Sequence, residues 1–84
     1  MSKPATKEEF LQLVREIGAG RGDWRPLRAE LLFLGMMAKQ LEPQMGQDGR
    51  PTRDELVAVW RRMAADGDAE AQRLLSMLQL DTGG

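Results

Sequence analysis

From Thr6 onward, apolar residues recur every three or four positions in four stretches, separated by breaks rich in Gly, Pro and Asp. That spacing predicts helices, and no strand signal competes, because β-branched residues are few and nowhere alternate with polar ones. In the first stretch Thr6 and Glu9 can form a capping box. Phe10, Leu11, Leu13, Val14 and Ile17 then carry a helix from Lys7 to Ile17. Gly18, Gly20 and Gly22 end it, supplying the left-handed backbone that a helix C-terminus commonly uses. Asp23 is placed to cap a second helix with Pro26 in its first turn, continuing to Glu42 and stopping before Pro43. Thr52 and Glu55 repeat the capping box and open a third helix to Ala65, with Leu56, Val57, Val59, Trp60 and Met63 on its apolar face. After Asp66-Gly67, Asp68 caps a fourth helix that runs to Leu80 and turns Ala71, Leu74, Leu75 and Leu78 inward. The predicted architecture is all-α: four helices as two αα-hairpins (6–42 and 52–80), joined by the polar connector 43–51, with tails 1–5 and 81–84.

The two hairpins are related in sequence. Setting Thr6 on Thr52 aligns Glu9 with Glu55, Phe10 with Leu56, Leu13 with Val59, Arg15 with Arg61 and Ile17 with Met63. Skipping one residue in the first copy brings Gly22-Asp23 onto Gly67-Asp68. Repeat architectures usually need three or more units to bury a continuous core. Two units and a connector therefore predict a closed four-helix bundle rather than an open solenoid. The copies diverge after the turn, where Trp24, Arg25 and Pro26 stand in place of Ala69, Glu70 and Ala71. That divergence marks the first place to look for function.

The segment Ala64 to Leu75, AADGDAEAQRLL, resembles the turn and second-helix start of Sel-like repeats, relatives of the tetratricopeptide repeat. Ala64, Ala65, Gly67, Asp68, Ala69, Ala71, Gln72 and Leu75 carry the match, with one residue fewer before the Gly. The small residue and Tyr that the family places later in the helix are replaced by Ser76, Met77 and Leu78. The resemblance implies helical hairpins that bind proteins.

The second helix departs from simple amphipathicity. Leu27, Leu31, Leu34, Ala38 and Leu41 make one stripe, enough to face a core. Leu32, Phe33, Met36 and Met37 lie outside it. Such a helix is either buried on several sides or presents an apolar face to a partner, a use to which adaptable Met side chains are suited. Gly35 within it costs about 1 kcal/mol relative to Ala, which a close approach by another helix would explain.

Composition narrows the chemistry. The 84 residues form one domain, and a chain this short buries only about 60–65% of its unfolded surface. Without Cys, His or Tyr there is no thiolate, disulfide or imidazole chemistry. Most carboxylates have structural work: Glu9, Glu55, Asp23 and Asp68 as caps, Glu8 and Asp54 at positive helix N-termini. No catalytic, metal or cofactor residues are assigned, and no enzyme activity or small-molecule substrate is expected. Asp66, Asp68 and Glu70 alternate like a cation loop but lack the later Gly and bidentate Glu of an EF-hand, so capping is the better reading. Arg21-Gly22-Asp23 spells an adhesion tripeptide that turn and cap already explain. With no signal-peptide stretch and no run near the ~20 apolar residues that span a bilayer, a cytoplasmic protein without membrane contact is expected.

Two surfaces remain as candidates. The favoured one binds a protein partner or a second copy through Trp24, Arg25, Arg28, Phe33, Met36 and Met37, with Trp24 as its surface anchor beside the arginines. The alternative is a nucleic-acid-binding regulator using Arg50, Arg53, Arg61 and Arg62 on phosphates. Net charge of −1 and a pI near 5.4 weigh against the alternative. So does charge distribution: residues 1–50 carry eight basic and seven acidic side chains, and residues 51–84 carry four and six.

Overall fold

A computed structural model describes residues 6–78, which form helices joined by turns and short irregular segments, with no strand among them. The α-helices are α1 (Lys7–Gly18), α2 (Arg28–Met36), α3 (Ala38–Leu41), α4 (Arg53–Ala65) and α5 (Ala69–Met77). Single 3₁₀ turns precede α2 (Arg25–Leu27) and follow α3 (Glu42–Gln44). The Cα radius of gyration, 11.9 Å, matches the roughly 12 Å of a closed domain of this length and excludes an extended array.

The start signals act as their chemistry dictates. Thr52 Oγ1 accepts from Glu55 N (3.2 Å) and Glu55 Oε1 accepts from Thr52 N (2.8 Å), completing the box that opens α4. At α1, Thr6 Oγ1 accepts from Glu9 N at 3.1 Å. Asp68 Oδ1 accepts from Glu70 N and Ala71 N (3.0 and 3.2 Å) and caps α5. α5 ends at Met77, three residues short of the expected Leu80, which lies outside the described residues.

The long second helix is not continuous. It is broken at Met37, whose backbone (φ −99°, ψ 13°) leaves the helical region before α3 begins. The break follows directly on Gly35, the poorest helix former of the stretch. Nor does Asp23 cap it as expected. Its carboxylate accepts from Arg25 N at 3.1 Å, closing the turn before the 3₁₀ segment, while α2 itself starts from Leu27 without a side-chain cap.

Of the two hairpins expected to pack into a bundle, only the second is seen as a pair of adjacent helices. α4 and α5 pack on each other, but α1 also packs on α4, whereas α2 packs on α5 and α4. The first unit is thereby opened and its two helices lie against the second. α2 and α5 run side by side in the same direction, since Arg28 meets Asp68 at one end and Gly35 meets Leu74 at the other. Gly35 is buried, and a Cβ there would stand 2.1 Å from Leu74 Cδ2. The close approach expected from the sequence is made by α5. Val14, Ile17, Leu27, Leu31, Leu56, Val59, Trp60 and Met63 are fully buried at the centre. Trp60 Nε1 donates to Leu31 O at 3.0 Å, which satisfies its one polar atom inside the core.

Candidate functional site: the outer face of α2

α2 is packed on one side only. Leu31 and Gly35 are buried, while Phe33 and Met36 are 58% and 71% exposed. Ala29, Phe33 and Met36 follow one another at four- and three-residue spacing, so they form a single crest along the helix. A groove of about 540 Å³ lies on one flank, bordered by Phe10, Phe33, Leu34, Leu41, Met45 and Leu56, with Lys7, Glu30 and Arg50 at its edge. On the other flank a groove of about 570 Å³ runs between α2 and α5, lined by Leu32, Met36, Leu74 and Met77, with Glu70 and Arg73 beside it. Large apolar side chains exposed next to apolar grooves are the surface feature that most often marks a contact site.

The residues singled out from sequence divide sharply in their placement. Phe33 and Met36 are on the exposed crest, and Met37 is half-buried at the helix break. Trp24 is not the surface anchor it was expected to be. It is 5% exposed, belongs to the core cluster, and donates Nε1 to Asp66 Oδ2 at 2.7 Å. Its place at a helix start among arginines suggested exposure, but the long reach of indole lets it cross to the facing turn. Arg25 stacks over the Trp24 ring (4.8 Å to the centroid) and pairs with Asp23 at 3.1 Å. Arg28 donates Nε and Nη2 to the two carboxylate oxygens of Asp68, at 2.6 and 3.4 Å.

That last contact ties the two halves together. The Asp68 side chain is 3% exposed and accepts from Arg28 and from two backbone N–H groups. The Arg28 guanidinium, joined by the backbone donors and opposed by burial, holds the carboxyl below its ordinary value of 3.8. Asp68 in turn holds the Arg28 guanidinium above its ordinary value. These are structural bonds at the base of α2, leaving the crest itself apolar.

The second arginine group is also engaged. Arg62 donates to Ile17 O (3.3 Å) and Arg21 O (2.7 Å), satisfying carbonyls at the end of α1 and in its turn, and lies 3.7 Å from Asp66. Arg53 faces Glu42 at 3.9 Å, and Arg50 donates to the side-chain oxygen of Gln44. Arg61 is exposed. On α1, Arg15 pairs with Glu55 at 2.6 Å. Burial pushes the Glu55 carboxyl up, but the Thr52 N–H and Arg15 outweigh it and hold it below its ordinary value. A phosphate would have to compete with partners already in place at Arg50, Arg53 and Arg62.

Met77 was missed. At 63% exposed it extends the apolar surface from α2 onto α5. No outward signal marks it in the sequence, since a residue three positions after the inward Leu74 falls on nearly the same side of the helix. No helix among the described residues is long and apolar enough to cross a membrane. Compared with models of protein families, with curated proteins and with solved structures, the chain matches none of them.

Proposed function

We propose that this chain is a small non-enzymatic interaction module that docks a protein through the outer face of α2. The observation that supports this most directly is the crest of Phe33 and Met36, two large apolar side chains more than half exposed on a helix otherwise held in the fold. Leaving that much of them in water forgoes burial worth about 1–2 kcal/mol each. Polar residues at both positions would have given an ordinary amphipathic helix with the same inward stripe. The resemblance of residues 64–75 to a protein-binding repeat points the same way. The docking face is Phe33, Met36 and Met77; Trp24, Arg25 and Arg28 support its base from below.

The test uses the purified wild-type chain and the variants Phe33→Ser and Met36→Ser as baits in extracts of the native host. Proteins held by wild type and released by both variants support the reading. Because both side chains are exposed, the variants should retain helical circular dichroism and unfold within about 0.5 kcal/mol of wild type. Equal capture by all three baits, or unfolding of the variants, sinks it.

A further inference from the structure

The groove between α2 and α5 has a property beyond its apolar lining: the charges beside it are matched to themselves. Glu70 and Arg73 lie one turn apart on α5, 55% and 79% exposed, and meet each other only loosely at 3.5 Å. A surface carrying one acid and one base a turn apart is complementary to its own copy turned end for end. The acid of each then faces the base of the other, which is the requirement for an isologous contact.

The rest of the face obeys the same operation. Arg28–Asp68 and Gly35–Leu74 fix α2 and α5 side by side and parallel, so a two-fold axis crossing both helices sets one register for both. The axis that brings Glu70 of one copy opposite Arg73 of the other crosses α5 between Ala71 and Gln72. On α2 it then crosses near Leu32. That register lays α2 antiparallel on its partner, with the small, exposed Ala29 of each copy within one residue of facing the long, exposed Met36 of the other, and the two Phe33 side chains beside the axis. Large against small at facing positions is what lets two helix ridges interlock. A net charge of −1 adds almost no repulsion between copies.

We propose that the occupant of this groove is a second copy of the chain, in a two-fold antiparallel pair with α2 on α2, α5 on α5, and reciprocal Glu70–Arg73 ion pairs at the edge. This rests on the reading of the α2 face as a docking surface and names its partner.

Sedimentation equilibrium of the full chain, from micromolar to millimolar concentration at low salt, should show the mass rising toward twice 9.4 kDa. Met36→Glu should stay at the monomer mass with unchanged circular dichroism. Added salt should weaken the association, since the ion pairs are exposed. The decisive arm uses charge reversals. Glu70→Arg alone and Arg73→Glu alone each set like charges opposite one another and should lose association. An equimolar mixture of the two restores both pairs and should recover the doubled mass. A mass that stays at 9.4 kDa at every wild-type concentration overturns the second-copy proposal, as does failure of the mixture to associate more than its components. Capture of another protein that Phe33→Ser and Met36→Ser abolish would then leave the docking face standing with a different occupant. Loss of that capture as well would remove both.

Discussion

The chain makes two Gly-Asp turns, and they do different work. Gly22 and Gly67 both adopt positive φ (74° and 100°), so in each case glycine lets the chain reverse after a helix. The aspartates that follow part company. Asp23 is exposed and closes a local turn on Arg25. Asp68 is buried, caps α5 through two backbone N–H groups, and receives the Arg28 guanidinium from the other unit. The first turn sends side chains out, Trp24 to Asp66 and Arg28 to Asp68, and the second receives them. The lesson is that divergence between repeated units need not signal a binding site. Here Trp24 differs from its counterpart Ala69 because it fastens one unit to the other, and Arg28, whose counterpart Arg73 is the same residue type, makes the second tie.

Breaking the donor side should have the largest effect. Trp24→Ala removes a buried indole and its bond to Asp66, and should cost about 3–5 kcal/mol in urea unfolding. That is a large part of the stability of a domain this size. Trp24→Phe keeps most of the ring and should lose only about 1–2 kcal/mol, chiefly the hydrogen bond. Equal losses would show that the crosslink, not burial, dominates.

On the receiving side, Asp68→Asn should cost about 1.5–3 kcal/mol, since Asn can still cap α5 but leaves Arg28 without its counter-charge. Asp23→Ala, the matching change at the other turn, should leave the thermal midpoint almost unmoved. If the two substitutions proved equivalent, the contrast between the turns would collapse.

The far end of the α2–α5 seam offers an intermediate test. Gly35→Ala raises helix propensity by up to ~1 kcal/mol, yet it drives a Cβ into Leu74. The net result should be a loss of about 1–2 kcal/mol. A gain in stability would mean that the seam is held at Asp68 alone.

The smallest expected effect is in pH dependence. Asp68 is held below its ordinary value in the fold, so its contribution is complete above that value. It is lost as pH falls below about 4 and through the lowered folded value. Glu55 is shifted in the same direction and adds to the same acid limb. Acid titration of unfolding free energy should therefore be shallower in Asp68→Asn than in wild type, with the difference confined below about pH 4. Parallel curves would separate the cap from the stability it is credited with.

Local chemistry made much of this legible in advance. α4 spans the residues its capping box and Asp66-Gly67 break specify, because those signals depend on near neighbours alone. The inward faces of α4 and α5 follow from periodicity in the same way. Gly35 announced a close approach, and Phe33 and Met36 announced an apolar excess on α2. The misjudged residues are those whose partners lie far along the chain. Trp24 and Arg28 bond to residues 42 and 40 positions away. No local pattern distinguishes an indole reaching into solvent from one reaching across to another turn.

By itself, then, the sequence determined the helical period, the starts of α1, α4 and α5, the Gly-Asp turns and the excess of apolar surface on α2, all consequences of backbone geometry over a few residues. Tertiary structure decided the rest. It opened the first hairpin so that α1 lies on α4 and α2 on α5, drew Trp24 inward, and left Phe33, Met36 and Met77 outside. Those outcomes depend on which distant groups fill a core too small to cover every apolar side chain.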